Sequence, residues 1–377
     1  MVGQDTYAET QQIVSAGVGL TWGAVYAYLD PLQLSAIGGR VAGVGVGGLT
    51  LGGGISYFGP RFGWACDAVT NFEVVLGNGT IVNASEDENQ DLMWALRGGQ
   101  NNFGIVTRVD IHAFAQGDFW GGQVIRAIDT TDDQINALAA YTNPESYDEY
   151  ASLITTFAYS GDGDLQVVVN DEKYTKPIAD PPVFDAWKNM TALVSTQRIT
   201  NMSDLAAEQA AQDPDGDRQA SATLTIDSTV DAINATVAAW NTSIATIRDI
   251  PGIAWSLGFD PLLPQLYARH AGSNALGLGD RQNRTLIVVN INIKWSNATD
   301  DGAVDEAARS LIAAIERDVG QLDALDPFIY INYAASWQRP IDGYGEDSLE
   351  KLQSVREKYD PGHVFTNLVP GGFKIPA

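Results

Sequence analysis

The segment Gly38–Gly54, GGRVAGVGVGGLTLGGG, carries nine glycines in seventeen residues. Glycine loses more backbone freedom on ordering than any other residue and brings no side chain to a core. A folded chain keeps so many together where its backbone must take positive φ or run close to something flat or charged. Flexible linkers pair glycine with serine or proline, whereas Val41, Val44, Val46, Leu49 and Leu51 in this stretch call for burial. The segment therefore reads as a loop lining a large bound cofactor.

The surrounding composition bounds the fold and its partners. A chain of 377 residues, 45% hydrophobic and 18% charged, can bury sizeable cores and is long for a single one, so two domains are expected. With 22 basic against 47 acidic residues the net charge is −25. That charge speaks against nucleic acid or an anionic membrane as partner and favours a small neutral or cationic substrate. Cys66 stands alone, which excludes an intrachain disulfide framework, and His112, His270 and His363 lack ligand spacing, so no metal centre is expected. The uncharged run Val41–Pro60 holds eight glycines and is too weakly hydrophobic to span a bilayer. No basic and then apolar signal sequence follows Met1. Eight N-x-S/T sequons, at Asn78, Asn83, Asn189, Asn201, Asn234, Asn241, Asn283 and Asn297, nevertheless point to the secretory pathway.

Periodicity places the elements. Ile13–Val18 reads as a strand and Trp22–Leu29 as a helix; Val74–Leu76 and Thr80–Asn83 form a hairpin through Gly77-Asn78-Gly79. Asp91–Arg97 reads as a helix capped by Gly98 and Gly99, followed by a strand over Phe103–Ala113. Beyond Ala115, strands are expected at Ser152–Tyr159, Leu165–Asn170, Ala220–Ile226, Ile253–Phe259, Thr285–Trp295 and Phe328–Ala334. Helices are expected at Thr131–Tyr141, Leu205–Ala211, Val230–Ile247, Gly302–Val319 and Glu346–Tyr359, with a turn at Asp213–Asp217. This pattern suits an antiparallel sheet with helices on one face. Most of the nine tryptophans, Cys66 and Arg97 are assigned structural roles: core, small buried hydrophobe and helix-end charge.

Gly43–Gly48 fits the G-x-G-x-x-G spacing, with Asp67 at a tolerable distance, but Leu49–Ser56 adds three glycines and lacks the helix formers of a dinucleotide-binding helix. A P-loop is excluded, since no Gly-Lys-Ser/Thr occurs. Other motifs follow in order: Phe62-Gly63-Trp64-Ala65-Cys66-Asp67, Val74-Val75-Leu76 with Gly79, Asp91 to Gly99 (DLMWALRGG), and Asn102 to Thr107 (NFGIVT). The tail adds Tyr330-Ile331-Asn332-Tyr333, Tyr344-Gly345, Lys358-Tyr359-Asp360-Pro361, Phe365 and Gly371-Gly372-Phe373. From about Ile13 to the end, this order resembles the vanillyl-alcohol-oxidase/PCMH flavoproteins, and within them the fungal berberine-bridge-enzyme-like oxidases.

The resemblance implies an α+β fold: a PCMH-type FAD-binding domain over residues 1–115, a substrate domain over 116–339 with a large antiparallel sheet covered by helices, and a C-terminal segment, 340–377, returning to the FAD domain. The implied cofactor is FAD. The backbone of Gly39, Arg40, Val41, Gly43, Val44, Gly47 and Gly48 would lie along its ring and pyrophosphate, with Gly104, Ile105 and Val106 near the adenosine. Tyr330, Asn332 and Tyr333 would face the flavin from a strand, whose alternation separates Tyr333 from the other two. Tyr333 is the first choice for the base and Tyr330 the second; either phenol would need its pKa brought down from about 10. Asn274, within Gly272–Gly277, is a candidate substrate contact. Val44 falls where relatives gate oxygen, and Val41 where doubly linked relatives carry the flavin-bonding cysteine. Met1–Asp30 contains no histidine to match the family's R-x-x-G-H, so FAD is expected to be non-covalent and the FAD domain to lack its N-terminal subdomain. The implied function is an FAD-dependent oxidase that removes hydride from an alcohol or amine carbon of a carbohydrate or secondary metabolite, with O2 as acceptor. The alternative is a non-redox pocket protein, cyclase-like or sugar-binding, on the same scaffold.

Overall fold

The computed structural model describes residues 12–212, 216–281 and 284–376. The first section runs β1 (Ile13–Gly17), α1 (Trp22–Leu29), β2 (Leu34–Ala36), α2 (Val46–Leu51), α3 (Gly59–Phe62), β3 (Val69–Val75), β4 (Ile81–Ser85), α4 (Gln90–Leu96) and β5 (Ile105–Ala115). Its strands form an antiparallel sheet in the order β1-β5-β3-β4, with β2 pairing the far end of β5. Next come β6 (Phe119–Ala127), α5 (Thr131–Tyr141), β7 (Ala151–Ser160), β8 (Leu165–Tyr174), β9 (Ala192–Ser195), β10 (Arg198–Thr200) and α6 (Met202–Ala210). After them lie β11 (Arg218–Asp227), α7 (Val230–Ile247), β12 (Ala254–Leu262), α8 (Pro264–Tyr267), β13 (Leu286–Trp295), α9 (Asp301–Gly320) and β14 (Leu325–Asp326). These strands build a second antiparallel sheet, β10-β6-β8-β7-β12-β13-β11-β14, with β9 on β6. The chain closes with α10 (Glu346–Tyr359) and α11 (Val364–Asn367).

Alternation along the central strands gives this second sheet two different faces. Ile287, Val289, Ile291 and Ile293 of β13, with Trp255, Leu257 and Phe259 of β12, pack beneath Ile233, Val237, Trp240 and Ile244 of α7 and Leu311, Ile312 and Ile315 of α9. Thr229 opens α7 by accepting the Ala232 N–H at 3.1 Å, a side-chain cap that fixes where the helix begins. The opposite face is polar and looks toward the glycine loop. A separate core joins the first sheet to parts of distant sequence: α6, Leu262–Tyr267, Ala275–Leu278, Phe328–Tyr344 and α10. The α10 helix is tied there by Tyr359 OH to Asp91 Oδ1 at 2.8 Å and by Arg356 Nη1 to the Ile375 carbonyl at 3.0 Å.

Helices α1, α5, α7 and α10 take the bounds that periodicity predicts. Three differences bear on the site. Val46–Leu51 is helical despite its glycines, because Leu51 and Val46 are buried and Gly45 enters with extended dihedrals. Strand β6 has no periodic signature in the sequence: Gly121 and Gly122 break its hydrophobic alternation, and both are needed because a Cβ would meet Lys173 and Gln197. The expected strand Phe328–Ala334 is a turn, closed by the Tyr333 N–H on the Tyr330 carbonyl at 3.0 Å. The turn expected at Asp213–Asp217 and the sequon at Asn283 fall wholly or partly outside the described residues. No helix among the described residues is long and apolar enough to cross a membrane.

Candidate functional site

The glycine loop does two jobs. At its ends glycine is required by packing: a Cβ on Gly38 would enter the Trp22 ring, and one on Gly52 would collide with the Asn332 side chain. Gly53 and Gly54 take φ of 101° and 90°, and a Cβ on Gly54 would stand 2.6 Å from that of Ala65. In the middle, a Cβ on Gly43, Gly45 or Gly48 would meet nothing within 4 Å. That open stretch forms one wall of a cavity of about 310 Å³, lined by Val41, Val44, Gly45, Gly48 and Leu49 on one side and Tyr330, Asn332 and Tyr333 on the other. The volume lies at the lower end of small-molecule sites, roughly 300–1,000 Å³.

The turn at 330–333 explains the facing wall. Because these residues do not alternate as a strand, both tyrosines and Asn332 reach the same cavity, and the separation expected for Tyr333 does not occur. The Tyr330 and Tyr333 rings meet edge to face with centroids 4.8 Å apart. Asn332 donates to the Leu49 carbonyl and to Tyr330 OH, each at 3.0 Å, and accepts from Gln100 at 3.1 Å. Tyr330 OH also accepts the Ile55 N–H at 3.0 Å. Burial pushes the Tyr330 phenol up to about 12, with the Asn332 and Ile55 hydrogen bonds opposing.

Arg40 links this cavity to a second one, of about 350 Å³, on the polar face of the large sheet; Arg40, Val41 and Tyr333 line both. The Arg40 Nη1 donates to Asp260 Oδ1 at 2.5 Å, and its Nη2 donates to Asp260 Oδ2 at 3.3 Å and to Tyr333 OH. Burial works against the guanidinium charge, but Asp260 and Tyr333 outweigh it and hold Arg40 well above its usual range. Burial also pushes the Tyr333 phenol far up; Arg40 opposes this, while the charge of Asp260 and a hydrogen bond to it add to the rise. A freely ionised Tyr333 is therefore disfavoured, whereas a neutral Tyr333 bonded to Asp260 can pass a proton through its hydroxyl. The outer wall is braced by amides: Gln123 donates to Gln209 at 2.7 Å, and Gln209 donates to Tyr57 OH at 2.9 Å. Tyr57 in turn donates to Asp171 at 2.7 Å.

The expected site residues divide accordingly. Arg40, Val41, Val44, Gly48, Tyr330, Asn332 and Tyr333 line the first cavity, and Gly43 lies open in the same loop. Gly39 is packed on Trp22 and Leu49, and Gly47 on Val18. Gly104, Ile105 and Val106 stand at the start of β5 opposite Val74 and Val75, and line neither cavity. Asn274 is not brought to the site: its buried amide donates to Asp67 at 2.8 Å and to the His270 carbonyl at 3.2 Å, while its oxygen accepts from Leu276 N at 3.2 Å. Asp67 is consumed in the same way, also accepting from Trp64 N at 3.1 Å, so it is a strut and not a ribose ligand. Arg97 is buried and donates to the Val69 carbonyl at 2.6 Å. Among the described residues no cluster of three or more His, Cys, Asp or Glu could hold a metal.

Asp260 carried no sequence signal, being one acid in a hydrophobic strand. The period-two run Asn290-Ile291-Asn292-Ile293-Lys294 was a signal of a polar sheet face that could have been read.

An FAD-binding domain model matches residues 3–85. A protein named oligopeptidase PhomG′ from Diaporthe leptostromiformis is 41% identical over 334 residues, covering 88% of this chain and 28% of that protein. The FAD-dependent monooxygenase tpcD of Cochliobolus heterostrophus is 36% identical over 383 residues, covering 97% of this chain and 73% of that protein. Among solved structures, 6-hydroxy-D-nicotine oxidase from Arthrobacter nicotinovorans superposes with a TM-score of 0.78 at 18% identity, over 97% of this chain and 78% of that one. Xylooligosaccharide oxidase from Myceliophthora thermophila C1 does so at 0.76 and 20%, over 97% and 78%. The residues present fit FAD: a side-chain-free backbone wall faces two tyrosines and an amide across a gap of cofactor-ring scale. The chain belongs to the same family of FAD-linked oxidoreductases as tpcD, and it has the fold of the berberine-bridge-enzyme-like, vanillyl-alcohol-oxidase/PCMH oxidases.

Proposed function

We propose that this protein oxidises an alcohol carbon of a small molecule seated in the sheet-side cavity. The carrying observation is the Arg40–Asp260–Tyr333 cluster, placed where the two cavities meet. Gly43–Gly48 would hold FAD, which when bound would supply the acceptor for a hydride, with O2 as the final electron acceptor. Tyr333 OH receives the substrate hydroxyl, takes its proton and releases its own to Asp260. Arg40 keeps that carboxylate and the phenol in register and balances the charge that develops. Asn332, pinned between Leu49, Tyr330 and Gln100, fixes the turn that presents Tyr333. The balance is one alcohol and one O2 to one carbonyl compound and one H2O2.

The test is a panel of primary and secondary alcohols offered to the FAD-loaded protein, with peroxide and carbonyl product measured together. One-to-one formation of both supports the reading. Oxygen from O2 appearing in the product without peroxide would overturn it in favour of oxygenation. A secretory route is part of the proposal: Asn78, Asn83, Asn189, Asn234, Asn241 and Asn297 are exposed. Host-expressed protein whose mass is unchanged by glycosidase would refute that part.

A further inference from the structure

We infer that the substrate of this site carries an anionic group, received by Lys294 at the outer end of the sheet-side cavity while the carbon to be oxidised lies at Tyr333. The inference rests on the proposed oxidation and names its substrate class.

Strands β12 and β13 form the cavity floor in fixed register: Asp260 opposite Val288, Gly258 opposite Asn290, Ser256 opposite Asn292 and Ala254 opposite Lys294. Alternation puts Asp260, Gly258, Ser256 and Ala254, with Asn290, Asn292 and Lys294, on the one face that lines the cavity. The floor thus begins at the reacting cluster, passes a side-chain-free step at Gly258, continues over amides and a hydroxyl, and ends at an ammonium. Val288 and Lys294 lie six residue steps apart on β13. At about 3.3 Å each this is roughly 20 Å along the strand, so an anion on the returning lysine stem would sit on the order of 15 Å from Tyr333.

The charges of the lining make Lys294 distinctive. Arg40 is neutralised by Asp260. Lys294 reaches Asp217 at 3.5 Å, and that carboxylate is itself 42% exposed. Lys294 is thus the more loosely held of the two lining cations, and an anion that takes over its ammonium frees the exposed Asp217 carboxylate to water, so the cavity can receive an anion at this end although the chain carries a net charge of −25. Apart from Tyr333 no aromatic ring lines the cavity among the described residues, so stacking on a sugar face has no platform here. An elongated molecule with oxygen functions along its length and an acid at one end matches both the amide floor and the terminal cation. The global charge alone suggested a neutral or cationic substrate; the register of β13 says otherwise for this cavity.

Matched probes test this: ω-hydroxy oligo(ethylene glycol) carboxylic acids of two to five units, and their methyl esters. Their binding to the FAD-loaded protein is measured by calorimetry. The acid should bind at least tenfold tighter than the ester at the best length, with the margin shrinking as salt is raised. Lys294→Met should erase the margin and leave ester binding unchanged; Lys294→Arg should keep it. Equal binding of acid and ester by the unaltered protein, equal loss of both in Lys294→Met, or no binding by any probe overturns the inference. Binding is read anaerobically with the flavin already reduced, so no hydride acceptor is present, the probe's hydroxyl is not oxidised, and the two readings fail separately. Acid preference without peroxide formation from any alcohol breaks the oxidation alone, and peroxide without acid preference breaks this inference alone.

Discussion

The two walls of the site are built by opposite means. The glycine wall is backbone, and its middle works because side chains are missing at Gly43, Gly45 and Gly48. The sheet wall works because side chains are present, from Asp260 to Lys294, at positions a strand register brings together. A flat ring needs van der Waals access to a surface with nothing protruding, whereas a proton and a charge need groups at defined points. Addition should therefore damage the first wall and deletion the second.

The largest effect is expected from deletion on the sheet wall. Asp260→Asn should slow substrate oxidation by about 10²–10⁴-fold, on the order of 3–5 kcal/mol in barrier, while FAD remains bound. Stopped-flow flavin reduction reads it, and an unchanged rate would show that Asp260 only props Arg40.

The back of the same sheet supplies a contrast by pH. On β8, Asp171 and Lys173 face the site, while Glu172 points away and pairs with Arg126 at 3.4 Å. Burial pushes Glu172 up to about 7, with Arg126 opposing. A carboxyl raised in the fold binds protons that the unfolded chain releases, so its contribution is complete below about pH 4.5 and is lost as pH rises through about 7. The fall amounts to at most about 3 kcal/mol. Chemical denaturation at pH 5 and pH 7.5 should show a smaller difference for Glu172→Gln. An equal difference would mean that Glu172 does not titrate in this window.

Next in size is addition at the jammed end of the glycine wall. Gly38→Ala drives a methyl into the Trp22 ring and should destabilise the protein by about 1–3 kcal/mol. Thermal melts with and without FAD should shift down together. A shift seen only with FAD would place Gly38 in the open class.

Much of this was legible in the sequence, and the limits have physical causes. Helices such as Val230–Ile247 announce themselves by a 3.6-residue period and a capping Thr229. Glycine density marked the cofactor wall, but could not separate Gly38, needed for Trp22, from Gly48, needed for open space, because that depends on what the fold brings opposite. The Tyr330–Tyr333 segment carries strand-forming residues, yet tertiary contacts from Leu49, Ile55 and Gln100 hold it as a turn. Asp260 became visible only when Arg40, 220 positions away in sequence, was placed against it.

The smallest expected change in stability is also the sharpest test of the two-wall contrast. Gly48 lies inside α2, where alanine is the better helix former by up to about 1 kcal/mol. A Cβ there would meet nothing within 4 Å. Gly48→Ala should therefore leave the FAD-free protein as stable or slightly more so, and yet weaken FAD, because its methyl projects into the space the ring needs. The two effects have opposite sign, so a general loss of folding cannot imitate them. Melting temperatures without FAD read the first, and FAD titration by fluorescence quenching reads the second. If Gly48→Ala bound FAD as tightly as the unaltered chain, the open stretch of the glycine loop would not be the ring's wall.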